Sequence, residues 1–460
     1  MIHSHFKYVH NPLKKWFKYR DQLINILKDI YEKYEKSPLN TKLLNVLPFW
    51  VGSILTGIVA ILYAELFAVA ENINSILFHR FGWWFLLFSI IFIILAYQMV
   101  RRYAKYAAGS GIPQVTAAIK LSNPKDIHLV NHLLSLKIVL IKILSSIFFV
   151  LGGGAIGREG PTIQISASIF KAINDRLPEW YPRVSRKNML VTGAAAGLAA
   201  AFNTPLGGVV FAIEELTQIH FNYFRSALLA GVIIAGFTTL QILGPYLYLG
   251  YPSLNNISFS FILSIIPIAL LAGMAGSGMG AMVLKLSKLK MKFKKQIWVP
   301  IIVSVLLVSS AMLINYNTLG SGKEIIIDSL FNNKTNLEWY IPIVRFFNTS
   351  ISFSTGAAGG IFAPSLSLGA SIGSVFSDLL HTTTNESHLL VLCGMAACLT
   401  GVTRSPFTSS IIIIEMTNTH NVIFHIMMAA LIANLISSYI SKDSLYEQLE
   451  HNYLRQLENQ

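Results

Sequence analysis

Apolar segments long enough to cross a lipid bilayer recur along this chain, and they constrain its fold more than any other feature. A helix needs about 20 consecutive apolar residues to span the hydrocarbon core. Hydrophobic residues make up 53% of the chain and charged residues only 13%, which is atypical of a soluble protein. The sequence therefore predicts an all-α, multi-pass membrane protein. The segments cover residues 49–70, 83–100, 138–156, 189–213, 226–249, 259–284, 297–314 and 421–440.

The excess positive charge flanks the apolar segments and does not form a basic face. The formal net charge is +14, and two dense basic stretches lie in residues 1–44 and in KLSKLKMKFKK at 285–295. Lys and Arg concentrate on the cytoplasmic side of membrane proteins, so we expect both stretches and both termini to be cytoplasmic. Residues 1–44 are amphipathic and lack the apolar core of a signal peptide, which favours an interfacial helix. This distribution argues against nucleic-acid binding.

Cysteine and histidine indicate neither a disulfide framework nor a metal site. Cys393 and Cys398 lie five positions apart in an apolar segment, where core packing is the default. The 12 His residues show no metal-ligand spacing. A nucleophile with a base at usable spacing is also missing from the sequence. We therefore expect neither an enzyme nor a bound metal or cofactor.

Two pairs of segments, each pair about 200 residues apart, align without gaps. GAAAGLAAAFNTPLGGVVFAIEEL at 193–216 matches GMAACLTGVTRSPFTSSIIIIEMT at 394–417, and GREGPTIQISASI at 157–169 matches GIFAPSLSLGASI at 360–372. Such similarity in a membrane chain indicates a duplicated half, often with inverted topology. The predicted domains are a cytoplasmic segment (1–44), two membrane repeats (45–250 and 251–441), and a C-terminal helix with a short cytoplasmic tail (442–460).

Gly/Pro clusters interrupt the apolar pattern at GSGIP (109–113), GREGP (157–161) and GIFAP (360–364). Such clusters unwind the backbone and then open a new helix at the proline. Unwound backbone at membrane depth is stable only inside the protein or along a cavity. Helix N-termini carry unpaired N–H groups and a partial positive charge, so several that converge would bind an anion without a metal. The sequence therefore predicts anion handling.

The side chains of these clusters allow more than one interpretation. Ser110 either holds a dehydrated anion with nearby N–H groups or caps a simple turn. Arg158 and Glu159 each cost about 3 kcal/mol in a membrane, which favours a function over a structural ion pair. Glu159 would compete with an anion, and protonation would let it leave. Phe362, at the position that matches Glu159, offers backbone donors or core packing.

The glutamate pair in IEEL ends an apolar segment whose matching segment keeps only Glu415. One of Glu214 and Glu215 is expected to be structural. The extra titratable group suggests a role in proton transfer.

Two glycine-rich stretches have the composition of nucleotide loops without their context. GMAGSGMG at 273–280 lies inside an apolar segment, which favours close helix packing. LGSGKE at 319–324 lacks the first glycine and the Ser/Thr of a phosphate loop. We therefore expect no bound nucleotide.

The order and spacing of GSGIP, GREGP and GIFAP, extended by AAAGLAAAFNTPLGGVVFAIEE, resemble the CLC family of chloride channels and transporters between residues 45 and 450. The resemblance implies a homodimer in the plasma membrane, the inner membrane of a bacterium, with one anion pathway per subunit. It also implies tilted, partly broken helices in two inverted repeats. It assigns chloride binding to Ser110, Gly111, Ile361, Phe362 and Tyr446, external gating to Glu159, and supporting roles to Gly157, Arg158, Gly160 and Lys142.

The resemblance distinguishes an exchanger from a channel through Glu215. Proton-coupled members of the family carry an internal glutamate at the second position of this EE pair, whereas channel members usually carry another residue. We therefore expect a chloride/proton antiporter in which Glu159 and Glu215 both handle protons. A passive chloride channel is the alternative.

Three features set this chain apart within that family. Gln114 stands where many members have glutamate, which removes a charge near the inner vestibule. Ser110 in place of proline argues against the nitrate-preferring branch, and Pro161 argues against the fluoride-exporting branch. The chain ends shortly after Tyr446, which leaves no room for the nucleotide-sensing domains of many eukaryotic members and favours a prokaryotic protein.

Overall fold

The computed structural model describes residues 38–123, 125–216, 225–243, 249–252, 254, 261–292, 296–331 and 337–458. The predicted interfacial helix in residues 1–44 therefore lies almost entirely outside the described residues, as does the end of the basic stretch 285–295. The predicted domain boundaries stay a prediction.

The described chain is mainly helical and forms no strand beyond two isolated β-bridges, and its α-helices fall into two sets of nine. The first set is α1 (Pro38–Phe81), α2 (Phe85–Tyr103), α3 (Ile112–Lys120), α4 (Ile127–Leu133), α5 (Leu136–Leu151), α6 (Glu159–Asn174), α7 (Arg186–Phe202), α8 (Pro205–Phe211) and α9 (Arg225–Leu243). The second set is α10 (Ile262–Met291), α11 (Trp298–Leu313), α12 (Lys323–Phe331), α13 (Ile341–Ser354), α14 (Phe362–Leu380), α15 (Thr384–Thr403), α16 (Pro406–Thr417), α17 (Ile423–Ile440) and α18 (Leu445–Glu458).

Six helical segments of the described chain are long and apolar enough to cross a membrane, which confirms the multi-pass prediction. The apolar segment 189–213 requires a correction, because it is not one spanning helix. Asn203 adopts a left-handed conformation (φ 56°) that ends α7, and Pro205 then opens α8. The six segments are Leu44–Tyr103, Ile127–Leu151, Ser226–Leu243, Ile262–Met291, Thr384–Thr403 and His420–Ile440.

Helix α15 is surrounded by protein, which explains why it is the least apolar of the six. In its most apolar window, 94% of the residues are buried inside the protein. Cys393 and Cys398 lie on this helix, buried and without a disulfide, in agreement with the core packing predicted for them. On α10, Gly276 packs against the carbonyl of Cys398, and a Cβ would collide there. The glycine-rich stretch 273–280 is therefore a helix-packing surface, as predicted.

An approximate two-fold axis passes between Gly157 and Gly360 and relates the two halves. Each glycine donates its N–H to the carbonyl of the other, at 2.8 and 2.7 Å, so two equivalent segments run antiparallel. Gly153 and Gly356, four positions before each of them, share a φ of +87°, which glycine adopts without strain. Equivalent segments that pair in opposite directions are expected of inverted repeats. The predicted fold of two inverted repeats with broken helices is confirmed.

Candidate functional site

Four helices begin next to one another in the interior, where the two repeats meet. The paired glycines on the two-fold axis immediately precede α6 and α14. Gly160, in the first turn of α6, lies against Ser110, which precedes α3. Tyr446, in the first turn of α18, stacks on Phe362 at the start of α14, with ring centroids 6.3 Å apart. The four positive helix ends suit an anion, and among the described residues no group of three or more His, Cys, Asp or Glu could hold a metal.

Ser110 presents a buried hydroxyl to this region and does not cap a turn. Gly111, with a φ of +105°, is the N-cap residue of α3. Ser110 is 2% exposed, and its Oγ has no hydrogen-bond partner of good geometry in the described part of the chain, although Tyr446 lies near it. A buried hydroxyl left unpaired costs about 1–3 kcal/mol. An anion that accepts a hydrogen bond from Ser110 would remove this cost.

Arg158 and Glu159 have different environments at the start of α6. Arg158 is the N-cap residue and is partly exposed, whereas Glu159 is the first helical residue and is only 1% exposed. The Glu159 carboxylate folds back against Gly157, where a Cβ would collide with Oε2. A carboxylate beside a helix N-terminus takes a position that the helix otherwise offers to an anion. The buried Glu159 carboxylate therefore lies at a helix end that suits an anion.

Ile361 and Phe362 occupy the equivalent positions in the second repeat. The N-cap residues Arg158 and Ile361 have nearly the same backbone conformation, with φ −100° and ψ −12° in one and φ −104° and ψ −5° in the other. Both side chains at the start of α14 are buried and apolar. The first turn of a helix leaves its N–H groups without intrahelical partners. The second repeat thus keeps the backbone donors and omits the charge.

A capping box positions Tyr446. The Ser444 N–H donates to Glu447 Oε2 at 2.7 Å, and the Glu447 N–H donates to Ser444 Oγ at 3.1 Å. This reciprocal pair fixes the first turn of α18, which contains Tyr446. The tyrosine ring is 2% exposed and lies within 11° of parallel to the Phe362 ring. The S-x-x-E spacing at 444–447 is a sequence signal that could have predicted this helix start.

Glu214 and Glu415 are helix caps related by the two-fold axis. Glu214 accepts from the N–H groups of Phe407 and Thr408, at 3.2 and 2.7 Å, at the N-terminus of α16. Glu415 accepts from the two equivalent N–H groups at the N-terminus of α8, at 3.1 and 2.9 Å. Each repeat therefore caps a helix of the other. Glu214 is the structural member of the IEEL pair.

Glu215, unlike Glu214, has no carboxylate at the symmetry-related position of the second repeat. It lies in the π-helical turn that follows α8 (Ala212–Leu216), and it accepts a hydrogen bond from Ser405 Oγ at 2.5 Å. The matching residue of the second repeat is Met416, which is buried. Glu215 also lines a partly open cavity of about 350 Å³ that extends from the exposed Lys120 to the buried Tyr446. This carboxylate thus lies between the protein surface and the interior site.

Lys142 is fully buried on α5, beneath the loop that carries Ser110. Its Nζ donates to the Ala107 carbonyl at 3.1 Å and to Gln164 Oε1 at 2.5 Å. Both partners are neutral oxygens. Lys142 therefore braces the backbone that leads into α3.

Gln114 ties α18 to the same loop. Its side-chain amide donates to the Ala108 carbonyl at 2.6 Å and to Tyr453 Oη, on α18, at 3.2 Å. A carboxylate has no N–H to donate to a carbonyl. The glutamine at this position therefore makes a structural contact that glutamate could not make.

Arg345 is the counterpart of Lys142, and sequence reasoning missed it. In the register that pairs the axial glycines, Lys142 matches Arg345 and Gln164 matches Ser367. Arg345 Nη2 donates to Ser367 Oγ at 2.8 Å, just as Lys142 donates to Gln164. A buried cation on α13 thus repeats the one on α5. The signal was present in the sequence as the same register that the GREGP and GIFAP motifs share.

Arg345 also identifies LGSGKE as the second-repeat equivalent of GSGIP. Its Nη1 donates to the successive carbonyls of Thr318, Leu319 and Gly320, at 3.0–3.1 Å, where this loop begins. Its Nη2 donates to the carbonyl of Ser321. Gly320 and Gly109, which open the two GSG sequences, both have a φ of +61°. The loop is closer in sequence to GIFAP than GSGIP is to GREGP, so an ungapped alignment does not reveal the match. The glycines of LGSGKE therefore shape the loop before α12, as those of GSGIP shape the loop before α3, and this role explains them without a phosphate loop.

Comparisons with known proteins agree with this architecture. The profile of the family described as "Voltage gated chloride channel" matches residues 92–438. The H(+)/Cl(-) exchange transporter ClcA of Salmonella arizonae is 28% identical over 442 residues, covering 90% of this chain and 89% of that one. The protein of the same name from Salmonella paratyphi B is 28% identical over 457 residues, covering 94% of this chain and 91% of that one.

Two solved structures share the fold. A slow cyanobacterial Cl-/H+ antiporter superimposes with a TM-score of 0.77 at 23% identity, over 90% of this chain and 98% of that chain. A CLC-type fluoride/proton antiporter superimposes with a TM-score of 0.73 at 21% identity, over 89% of this chain and 98% of that chain.

Proposed function

Because this chain belongs to the voltage gated chloride channel family, we propose that it is a chloride/proton antiporter. The observation that carries the proposal is a break in symmetry. The two repeats duplicate the helix starts, the helix caps and the buried cations, but Glu159 matches Phe362 and Glu215 matches Met416. At these matched positions, Glu159 and Glu215 are the carboxylates that the second repeat does not duplicate, and a carboxylate can carry a proton. The names of the related exchange transporters support the same function.

The anion pathway passes through the region where α3, α6, α14 and α18 begin. Chloride accepts hydrogen bonds from the Ser110 hydroxyl and from backbone N–H groups at Gly111, Ile361 and Phe362. Tyr446 closes this region on the side of the cavity that contains Glu215. Four helix N-termini supply the electrostatic attraction.

Glu159 and Glu215 handle the protons at opposite ends of the site. When it is deprotonated, Glu159 occupies an anion position at the start of α6 and blocks passage. When it is protonated, it loses its attraction to the helix N-terminus and swings away, so chloride and protons take turns. Glu215 exchanges protons with the water of the cavity that contains Lys120.

We place the cavity with Glu215 on the cytoplasmic side, together with both termini, in a homodimer in the plasma membrane, the inner membrane of a bacterium. The basic stretch 285–295 supports this orientation. Single cysteines introduced at Lys120 and at Trp84, in the turn between α1 and α2, should react with impermeant reagents from opposite sides of the membrane. Labelling of both from the same side would contradict this orientation.

The proposal is tested by recording chloride and proton movement together. Purified protein in liposomes under an outward chloride gradient should move protons inward against their own gradient as chloride leaves. Proton-free chloride flux would support the passive channel instead. If folded, reconstituted protein moved no chloride, both the antiporter and the channel would be ruled out.

Gly160→Ala should weaken chloride binding, because the added methyl group takes the space of the Ser110 hydroxyl. Loss of one hydrogen bond to a charged ligand costs about 1.5–3 kcal/mol, so the chloride dissociation constant should rise at least about tenfold. Isothermal titration calorimetry measures this constant. Gly278→Ala is the control, because a Cβ at Gly278 meets nothing closer than 3.7 Å. Equal chloride affinity in the two variants would mean that Ser110 does not bind the anion.

A further inference from the structure

We propose that the hydroxyl groups of Ser405 and Ser409 relay protons between Glu215 and the central anion site. This inference rests on the proposed antiport function and adds two residues that neither the motifs nor the repeat singled out. It starts from the way in which α16 begins beside Glu215.

Ser405 is the N-cap residue of α16, but its side chain makes no capping bond. An N-cap serine normally accepts a hydrogen bond from an N–H group of the first turn. Here, Glu214 already accepts from the N–H groups of Phe407 and Thr408. The hydroxyl of Ser405 is therefore released from capping, and it donates to Glu215 Oε2 at 2.5 Å instead. At the start of α16, Glu214 thus caps the helix, and Glu215 accepts a hydrogen bond from the Ser405 hydroxyl.

A narrow cavity leads from Glu215 towards the central site. It is too narrow to hold a water molecule in this conformation. In this conformation, a proton could cross it only through groups of the protein itself that can both donate and accept a hydrogen bond. The residues that line it include Phe362 and Tyr446 at the inner end, and Thr403, Ser405, Thr408 and Ser409 along the wall.

Two of the four wall hydroxyls are already committed elsewhere. Thr408 Oγ1 donates to Glu214 Oε2 at 2.7 Å, and Thr403 Oγ1 donates to the Leu399 carbonyl at 3.0 Å. Their protons are therefore engaged in structural contacts. Ser405 and Ser409 are the remaining hydroxyls of the wall.

Ser409 is unusual for a serine inside a helix. Serine in a helix commonly donates to the carbonyl three or four residues earlier, as the neighbouring Ser410 does to the Pro406 carbonyl at 2.7 Å. Ser409 is 1% exposed, and its Oγ has no hydrogen-bond partner among the described residues. An unpaired buried hydroxyl costs about 1–3 kcal/mol and requires an explanation. Its position in the cavity wall supplies one.

Protonation of Glu215 reverses its hydrogen bond to Ser405. In the deprotonated state the carboxylate accepts from the hydroxyl, as in this structure. The protonated acid instead donates to Ser405 Oγ, which turns the serine proton towards the cavity and Ser409. Transfer then moves one proton onto each oxygen as the oxygen releases its own, so both serines stay neutral. The last proton reaches the central site, where Glu159 is the carboxylate that accepts it.

The test compares Ser405→Ala, Ser409→Ala and the double variant in liposomes with simultaneous chloride and proton recording. The proton-to-chloride flux ratio should fall in each single variant, and by about tenfold or more in the double variant. Chloride flux should persist, which also shows that the variants fold. Ser410→Ala is the matched control, because its hydroxyl is bonded to its own helix. Ser405→Thr, which keeps a hydroxyl, should retain the ratio.

The outcomes separate this inference from the proposed function. If the unaltered protein moves no protons, the antiport function fails and the relay fails with it. If the unaltered protein couples the two ions and the double variant keeps the same flux ratio, only the relay is overturned. A loss of coupling in Ser405→Thr as large as that in Ser405→Ala would point to packing and would also overturn the relay.

Discussion

Glu159→Gln is expected to leave chloride flux intact and to abolish the proton movement coupled to it. Glutamine at the start of α6 is neutral at every pH, so it can neither carry a proton nor compete for the anion position as a carboxylate does. Proton uptake driven by a chloride gradient should fall to the leak of protein-free liposomes. Chloride efflux and external pH, recorded in the same vesicles, measure both quantities.

Glu415→Gln is the control for Glu159→Gln, because it also neutralises a carboxylate at a helix N-terminus. Glu415 accepts from two N–H groups of α8 and has no place in the proposed proton path. Its variant should keep both fluxes coupled. Proton movement that persists in Glu159→Gln would show that another group gates the pathway.

Glu215→Gln and Glu214→Gln are expected to have opposite effects, although the two residues are neighbours. Within the described part of the chain, the Glu215 side chain makes one hydrogen bond, to Ser405, so its variant should lose proton transport and retain chloride transport and stability. Glu214 accepts three hydrogen bonds at the start of α16, so its variant should stay coupled and lose about 1 kcal/mol of unfolding free energy. Paired flux recording and thermal unfolding in detergent measure the two effects.

Glu415→Gln is the matched variant for the stability measurement, because the two-fold axis relates Glu415 to Glu214. The two cap variants should be destabilised by similar amounts. If Glu214→Gln stops proton transport and Glu215→Gln does not, the assignment of the two glutamates is reversed.

The membrane class and the duplicated halves were predictable because each depends on a local pattern. Apolar length alone indicates helices that cross a bilayer. The register of GREGP with GIFAP indicated the duplication, whereas the contact of Gly157 with Gly360 on the axis is seen only in the structure. The same reasoning failed for the segment 189–213, because apolar composition does not show that Asn203 ends one helix and Pro205 begins another.

The sequence predicted the parts of the site that are helix starts. It did not predict the parts that depend on contacts between side chains and distant backbone groups. Glycine and proline mark the starts of α3, α6 and α14, so Ser110, Glu159 and Phe362 could be named from the sequence. Arg345 was missed, because no local motif marks it and only its register with Lys142 indicates it. Its function as a brace for the LGSGKE loop follows only from the four carbonyls that surround it.

The sequence by itself determined a membrane protein of two inverted repeats whose broken helices offer their N-termini to an anion. Apolar length, Gly/Pro interruption and internal register can be recognised from the residues of the segments themselves, and they do not depend on tertiary contacts. The family resemblance pointed to Glu215 as the proton glutamate, but only the tertiary structure shows that Glu214 caps α16 and that Glu215 does not. The N–H groups that Glu214 binds lie 193 and 194 residues further along the chain, at the start of α16. A carboxylate is structural or titratable according to the donors that folding brings to it, and no local pattern around Glu214 and Glu215 specifies those donors.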